Sequence, residues 1–185
     1  MDVLCVVGMS CSGKSVVSNK AKQLGIYTIT WDEIIREELQ RRGMVYTWRN
    51  EAKIDNWFHE NQRDLMRRII GKITELKDQE KLVIEGFKTP EQINNLKERL
   101  SSSHFSTLAI HTPPKIREKR EKDRRNYHID GYLEVGKRDK IDMERGLTKL
   151  IAMADHMIIN DEDLMSFRET VKDKLIDILN IDVKR

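Results

Sequence analysis

The segment best suited to chemistry is a glycine-rich loop near the start of the chain, Gly8-Met9-Ser10-Cys11-Ser12-Gly13-Lys14-Ser15. Its two glycines permit a tight backbone, so successive N–H groups and the following helix N-terminus can surround phosphate oxygens. Lys14 adds a point charge, and the Ser15 hydroxyl is suited to magnesium. The pattern predicts binding of ATP with Mg²⁺ through Gly8, Ser10, Cys11, Ser12, Gly13, Lys14, Ser15 and Val16.

The loop lies between a predicted strand and a predicted helix. Val3 to Val7 is a continuous apolar run, as expected of a central parallel strand buried on both faces. A helical pattern follows from about Lys14 and ends near Gly25. A glycine turn without a ligand would require neither neighbour, so this context favours the phosphate-binding interpretation.

Acidic residues follow two of the other predicted strands. Glu85 ends the apolar run that begins at Lys81, where proteins with this kind of loop often carry an acid that holds magnesium or its water. Ser15 and Glu85 are therefore the predicted metal residues, although Glu85 could equally cap the next turn. Asp32 and Arg36 lie four residues apart on one predicted helix face, near the edge of the sheet where open α/β proteins bind ligands. They could form part of a ligand site or only a surface ion pair.

A strongly basic helix is predicted over residues 115–125, which include seven lysines and arginines. Such a run is usually a solvated helix face. Phosphoryl transfer, however, needs positive charge around the migrating group and exclusion of water, and a cationic, closing flap supplies both. The candidate residues for this role are Arg117, Arg120, Arg124 and Arg125.

The remaining pattern alternates strands with helices and predicts an α/β fold: a five-stranded parallel sheet with helices on both faces. The predicted strands cover residues 3–7, 26–30, 81–85, 105–111 and 156–160. The predicted helices cover residues 14–24, 33–42, one or two helices within 50–76, then 90–100, 115–125, one running to about 153, and 164–179. The aromatic residues Trp48, Trp57 and Phe58 are interpreted as core more readily than as a base-stacking surface.

Composition sets the outer limits. The 185 residues suit a single domain, with 38% hydrophobic and 35% charged residues. The net charge of +3 is small for a nucleic-acid-binding domain. The sequence shows no signal peptide or membrane span, and its two cysteines suggest no disulfide framework, so a cytoplasmic location is expected.

Five segments together resemble the P-loop nucleoside monophosphate kinase superfamily, and most closely an archaeal group of predicted kinases related to dephospho-CoA kinase and adenylate kinase. They are residues 8–15, 32–36, 85–88, 114–125 and 154–160. The resemblance covers nearly the whole chain and implies a three-layer P-loop NTPase fold. It also implies a helical acceptor-binding insert at about 32–76 and a lid at about 115–140.

The resemblance also implies residue roles. Lys14, Asp32, Arg120 and Arg124 would be catalytic. Arg117 and Asn160 would contact the nucleotide, although a strand-end asparagine is also a common turn residue. Asp32, Arg36, Gly86 and Lys88 would contact the acceptor.

This chain departs from adenylate kinases at Ser10, Cys11 and Lys88, where those enzymes usually carry proline, glycine and arginine. Lysine cannot form the bidentate fork that arginine makes with phosphate, which puts AMP recognition of the usual kind in doubt. Asp32 would activate a sugar hydroxyl, or would only position the acceptor if that acceptor is a phosphate.

The expected function is therefore transfer of the γ-phosphoryl group of Mg-ATP to a nucleotide or nucleotide-like small molecule. The alternative is a nucleotide-dependent ATPase switch whose basic flap engages RNA or a protein partner. Slow hydrolysis without an acceptor, stimulated by the partner, would distinguish the second.

Overall fold

Strands and helices alternate along the chain in the computed structural model, which describes residues 1–76, 79–125 and 135–181. The strands are β1 (Asp2–Val7), β2 (Tyr27–Thr30), β3 (Lys81–Glu85), β4 (His104–His111) and β5 (His156–Ile159). The helices are α1 (Lys14–Gln23), α2 (Trp31–Arg41), α3 (Trp48–Glu60), α4 (Gln62–Thr74), α5 (Pro90–Arg99), α6 (Pro114–Arg125), α7 (Val135–Glu144), α8 (Leu147–Ala152) and α9 (Leu164–Leu179).

The five strands form one parallel sheet in the order β2-β3-β1-β4-β5. Strand β1 lies at its centre, and alternate residues of β1 face opposite sides. Val3, Cys5 and Val7 pack with α2, α3, α4, α5 and α8, whereas Leu4 and Val6 pack with α1 and α9. The predicted α/β fold, with helices on both faces of a five-stranded parallel sheet, is confirmed.

Helix α2 begins at Trp31, two residues earlier than the sequence pattern suggested. The Thr30 hydroxyl accepts a hydrogen bond from the Glu33 backbone, and the Glu33 carboxylate accepts one from the Thr30 backbone. This capping box satisfies two backbone donors at the helix start. It places Asp32 in the first turn of α2, directly after β2.

The predicted helical region 50–76 is two helices, α3 and α4, which meet at Asn61. A buried ion network joins α2 to α4: Glu38, whose side chain is fully buried, accepts hydrogen bonds from Arg41, Arg42 and Arg68. The hydrogen bond from Arg41, together with the other two arginines, lowers the pKa of Glu38 to about 2, although burial opposes the shift.

The prediction of a single helix running to about Met153 is wrong, because the structure has two helices there, α7 and α8. The helical structure is interrupted at Gly146, which has a left-handed conformation with φ of 95°, and α8 begins directly after it. A Cβ atom there would also lie 3.2 Å from Pro90 Cδ of α5. Within the described residues, no helix is long and apolar enough to cross a membrane.

Candidate active site

A cavity of about 590 Å³ opens beside the glycine-rich loop that follows β1. The other walls come from the start of α2, the segment after β3, and helices α3 and α7. Twelve of the residues predicted from the sequence line it: Gly8, Ser10, Cys11, Ser12, Gly13, Lys14, Ser15, Asp32, Arg36, Glu85, Gly86 and Lys88. The fold therefore brings together predicted residues that lie up to 80 positions apart in the chain, from Gly8 to Lys88.

The loop itself is held from behind by Asn160, at the end of β5. The Asn160 side chain donates a hydrogen bond to the Ser12 carbonyl oxygen at 2.7 Å. Gly13 has φ of 105°, and a Cβ atom on it would lie 2.4 Å from the Asn160 amide nitrogen. Only glycine fits this close approach, so Asn160 shapes the loop from the side opposite the cavity.

Two side chains of the loop, Lys14 and Ser12, can donate hydrogen bonds to an anion. Lys14 Nζ donates to the carbonyl oxygens of Gly8 and Met9, at 2.8 and 3.1 Å. Burial lowers the pKa of Lys14, and the nearby Glu85 carboxylate offsets part of this effect. Ser12 Oγ is buried and has no hydrogen-bond partner in the described part of the chain. These groups fit a bound phosphate, which would supply acceptors for both.

Cys11 departs from ordinary backbone geometry. It has a φ of 62°, a left-handed conformation that costs a non-glycine residue about 1–2 kcal/mol. Its sulfur atom lies 4.0 Å from Nη2 of Arg138 in α7. The loop is therefore in contact with the first helix after the 126–134 segment.

The residues predicted to hold magnesium lie in the same cavity. Ser15 is exposed, and Glu85 accepts a hydrogen bond of 2.5 Å from Ser18 Oγ of α1. Among the described residues no group of three or more His, Cys, Asp or Glu side chains could hold a metal by itself. Magnesium at a phosphate site needs only one or two protein ligands and completes its shell with phosphate oxygens and water. Ser15 and Glu85 fit that requirement.

The part of the cavity that holds the residues predicted to contact an acceptor, which we call the acceptor compartment, includes Asp32, Arg36, Tyr46, Glu51, Lys88 and Asp142. Arg36 Nε donates to Asp32 Oδ2 at 2.9 Å, and its guanidinium carbon lies 3.9 Å from the centre of the Tyr46 ring. The Tyr46 hydroxyl lies 3.2 Å from Asp32 Oδ1 and 3.1 Å from Glu51 Oε2. These contacts order the compartment's outer wall.

The inner wall is organised by Asp55 of α3. Its carboxylate accepts hydrogen bonds from Trp31 Nε1 at 2.9 Å, Lys88 Nζ at 2.7 Å and Arg145 Nη1 at 2.6 Å. Lys88 also lies 3.4 Å from Asp142. Burial acts to lower the pKa of Lys88, but Asp55 and Asp142 outweigh it and hold that pKa above its ordinary value. Lys88 is therefore a charged group with carboxylate partners.

Two of the arginines predicted for the lid, Arg117 and Arg120, contact the glycine-rich loop or its neighbour Asn160 and are not among the residues that line the cavity. Arg117 is buried, forms a two-pronged ion pair with Asp139 of α7, and donates to the carbonyl oxygens of Thr112 and Ser10. Arg120 donates to the Asn160 side chain at 3.0 Å. The phosphate roles predicted for Arg117 and Arg120, and the nucleotide roles of Asn160 and Val16, remain predictions. The side chain of Arg124 lies outside the described part of the chain.

Several cavity residues were missed by sequence reasoning: Trp31, Tyr46, Glu51, Phe87, Arg138 and Asp142. Arg138 had a usable signal, because it continues the basic character of the predicted lid beyond Gly136. Tyr46 and Glu51 carried no such signal, because they lie outside the recognised motifs. The sequence around them was interpreted only from the helical spacing of its apolar residues.

Several solved structures with a similar fold are named as kinases. Shikimate kinase from Acinetobacter baumannii, in complex with shikimate, superposes with a TM-score of 0.62 at 16% identity, over 100% of this chain and 96% of the other. A sugar kinase from Janibacter sp. gives 0.54 at 15% identity, over 98% and 96%. At this identity the likeness concerns the fold alone, which is that of the P-loop kinases.

Sequence comparison gives the family. A family model described as an AAA domain matches residues 7–137. A UPF0200 protein of Thermococcus gammatolerans is 30% identical over 185 residues, covering 96% of this chain and 97% of the relative. One from Pyrococcus abyssi is 29% identical over 174 residues, covering 92% and 93%. The chain belongs to the AAA domain family and to the archaeal UPF0200 proteins, in agreement with the predicted archaeal kinase-like family.

Proposed function

We propose that this protein is an ATP-dependent kinase that transfers the γ-phosphoryl group of Mg-ATP to a nucleotide or nucleotide-like small molecule. One observation carries the proposal: the loop predicted to bind phosphate and the residues predicted to contact the acceptor line a single cavity. A nucleotide-dependent switch would need the loop but not a second, polar compartment beside it. The presence of kinases among the structures of similar fold gives further support.

The loop residues bind and orient the nucleotide in this proposal. The backbone N–H groups before α1 and the Lys14 ammonium hold the phosphates, and Lys14 exchanges its present bonds to Gly8 and Met9 for phosphate oxygens. Arg138 of α7 lines the same cavity and is paired with Glu121, and it places a positive charge where negative charge develops on the phosphates during transfer. Arg120 and Arg124 of α6 keep the lid role predicted from the sequence.

Ser15 and Glu85 would hold magnesium, directly or through water, and the ion would neutralise charge on the phosphates. The Ser18 hydroxyl keeps the Glu85 carboxylate oriented towards the cavity. In the acceptor compartment, Asp32 and Arg36 orient the acceptor, and Gly86 and Lys88 also contact it. Closure of the predicted lid excludes water, so that the acceptor is phosphorylated in preference to hydrolysis of ATP.

The test is a transfer assay with purified protein, magnesium and γ-labelled ATP. The acceptor panel contains nucleoside monophosphates, nucleosides, dephospho-CoA and simple sugars, with a no-acceptor control and an RNA-added control. Label on a small-molecule acceptor is the expected result. Label released only as phosphate, and faster with RNA, would replace the kinase proposal with the nucleotide-driven switch.

The Lys14→Ala variant tests whether phosphoryl transfer depends on the glycine-rich loop. It removes the charge that meets the β- and γ-phosphates, so transfer should fall by at least about 100-fold. Lys20→Ala in the same helix is the control, because Lys20 does not line the cavity. Wild-type transfer in Lys14→Ala would refute the loop mechanism.

A further inference from the structure

A second cavity, of about 320 Å³, lies between helices α4 and α5. It is lined by Arg63, Arg67 and Ile70 of α4 and by Arg99 of α5, none of which lines the candidate active site. We call this cavity the arginine groove. Its volume is at the lower end of the range of about 300–1,000 Å³ that is typical of small-molecule sites.

The groove residues of α4 lie on one face of that helix. Arg63, Arg67 and Ile70 follow one another at spacings of four and three residues, which places them in a single stripe. Both arginines are exposed, whereas Ile70 is partly buried and packs against the hydrophobic core. Arg99, also exposed, comes from the last turn of α5. Positive charge from two helices therefore surrounds one apolar side chain.

The two helices that form the groove are held together beneath it. Gln92 of α5 is buried and donates a hydrogen bond to Gln62 of α4 at 3.2 Å. Ile69 of α4 and Leu96 of α5 belong to the same core cluster. The groove is therefore formed by the packing of the fold, and a ligand would not have to order these helices on binding.

The positive charges of the groove are compensated only in part. Arg67 Nη1 lies 2.8 Å from Asp64 Oδ1, and the Arg67 side chain is 78% exposed. Arg63 and Arg99 form no side-chain hydrogen bond or ion pair within the parts of the chain that the structure describes. The neighbouring Arg68 differs, because it contacts a fully buried carboxylate of α2 and does not line the groove. The groove thus has two uncompensated cations and a third whose fork is only partly used.

This arrangement differs from an ordinary solvated helix face. Charges on such a face point separately into water, whereas three guanidinium side chains from two helices line one cavity here. Like charges around one cavity repel one another, and a bound anion would relieve that repulsion. Guanidinium groups carry paired N–H donors that match the oxygens of a phosphate group. A nucleic-acid strand would instead need a basic track that follows several phosphates along a backbone.

We propose that the arginine groove binds a compact phosphate-bearing anion, such as pyrophosphate or the phosphate groups of a small molecule. Arg63 and Arg99 donate to its oxygens from α4 and α5, and Arg67 adds the donors that Asp64 leaves open. Ile70 forms the apolar floor. This site is separate from the glycine-rich loop, and the proposal does not depend on the kinase function.

The test is a titration with inorganic pyrophosphate, without magnesium and at an ionic strength held constant with potassium chloride. The protein is labelled at its isoleucine δ1-methyl groups and followed by NMR. The Ile70 resonance, assigned with Ile70→Val, reports on the groove itself, separately from binding at the loop. A saturable shift of this resonance is the expected result. Its absence would overturn the proposal.

Variants distinguish the groove from general attraction to a basic surface. Arg63→Gln and Arg99→Gln should each weaken binding at Ile70 by at least about tenfold, because each removes a charge-assisted hydrogen bond. Arg63→Lys keeps the charge but loses the fork, so it should weaken binding only about threefold. Arg168→Gln removes an exposed charge of α9 that lines neither cavity, and is the matched control. Equal weakening in Arg168→Gln, with wild-type methyl spectra in all variants, would refute a specific site.

A short oligouridylate identifies the source of the phosphate. At equal phosphate concentration, it should shift the Ile70 resonance less than pyrophosphate does, because only a compact anion places several oxygens within the groove. Tighter binding of the oligouridylate than of pyrophosphate, lost in Arg63→Gln, would overturn the compact-anion proposal in favour of an RNA-binding surface.

Discussion

Asp55→Asn is the most informative perturbation, because one carboxylate joins three parts of the fold. Asp55 is on α3 and accepts hydrogen bonds from Trp31 of α2, from Lys88 after β3 and from Arg145 after α7. Asparagine has nearly the same shape but no charge. It keeps one oxygen as an acceptor and turns an amide NH₂ group towards the cations.

The expected loss can be estimated from these contacts. Arg145 is 8% exposed and Lys88 is 23% exposed, so both charges depend on Asp55 for compensation. Removing one partner of a buried pair costs about 3–5 kcal/mol, and the lower end applies here because Asp142 remains 3.4 Å from Lys88. For a domain of this size, about 3 kcal/mol corresponds to a fall in Tm of roughly 6–12 °C.

Thermal unfolding followed by circular dichroism measures this loss. Asp64→Asn is the matched control, because it neutralises a partly exposed aspartate whose arginine partner is 78% exposed, and should change stability by less than about 1 kcal/mol. A Tm for Asp55→Asn within about 2 °C of wild type would refute the view that Asp55 compensates buried charge.

The pH dependence supplies an independent check. Burial acts to raise the pKa of Asp55, but Lys88 and Arg145 outweigh it, so the pKa in the folded protein lies below the ordinary value of 3.8. A carboxyl group with a lowered folded pKa contributes full stability above its unfolded pKa and loses that contribution as the pH falls through the folded value. The stability gap between wild type and Asp55→Asn should therefore close below about pH 4 and be constant above about pH 5.

Three other predictions concern separate features. Glu38→Gln should destabilise the protein by about 2–3 kcal/mol in urea unfolding at pH 7, and wild-type stability should fall as pH drops from 4.5 towards 2; a flat profile there would contradict the ion network. Gly86→Ala places a Cβ atom 2.4 Å from Trp31 Cβ at φ of 111° and should cost about 3 kcal/mol, whereas an unchanged Tm would mean that α2 can shift. Arg138→Ala should lower kcat about 100-fold and ATP affinity less than threefold; equal losses would assign Arg138 to ground-state binding.

The sheet and the phosphate-binding loop could be predicted because their signals are local. Continuous apolar runs define buried strands, and Gly8, Gly13 and Lys14 have fixed spacings within a single turn. The position of Asp32 and Glu85 in the cavity wall could also be predicted, because residues at or just after the carboxyl end of a parallel strand lie at the ligand-binding edge of the sheet. These residues follow from chain direction alone.

The acceptor compartment could be predicted only in part, because its contacts are long-range. Glu51 and Asp142 reach the cavity through the packing of α3 and α7, and apolar periodicity says which face of a helix is buried but not what its polar face meets. The same limitation applies to Arg117. Its basic helix was visible in the sequence, whereas its ion pair with Asp139, across 22 residues of chain, was not.

Helix α7 carries residues from both ends of the cavity. Arg138 lies beside the phosphate-binding loop and Asp142 lies beside Lys88, four residues apart and thus on the same helical face. A rigid shift of α7 must therefore change both ends at once. Where ATP favours one position of the helix, it alters the affinity for the acceptor, and thermodynamic linkage requires the acceptor to alter the affinity for ATP by the same factor. Under the proposed kinase function, the two substrates would therefore bind cooperatively without touching each other.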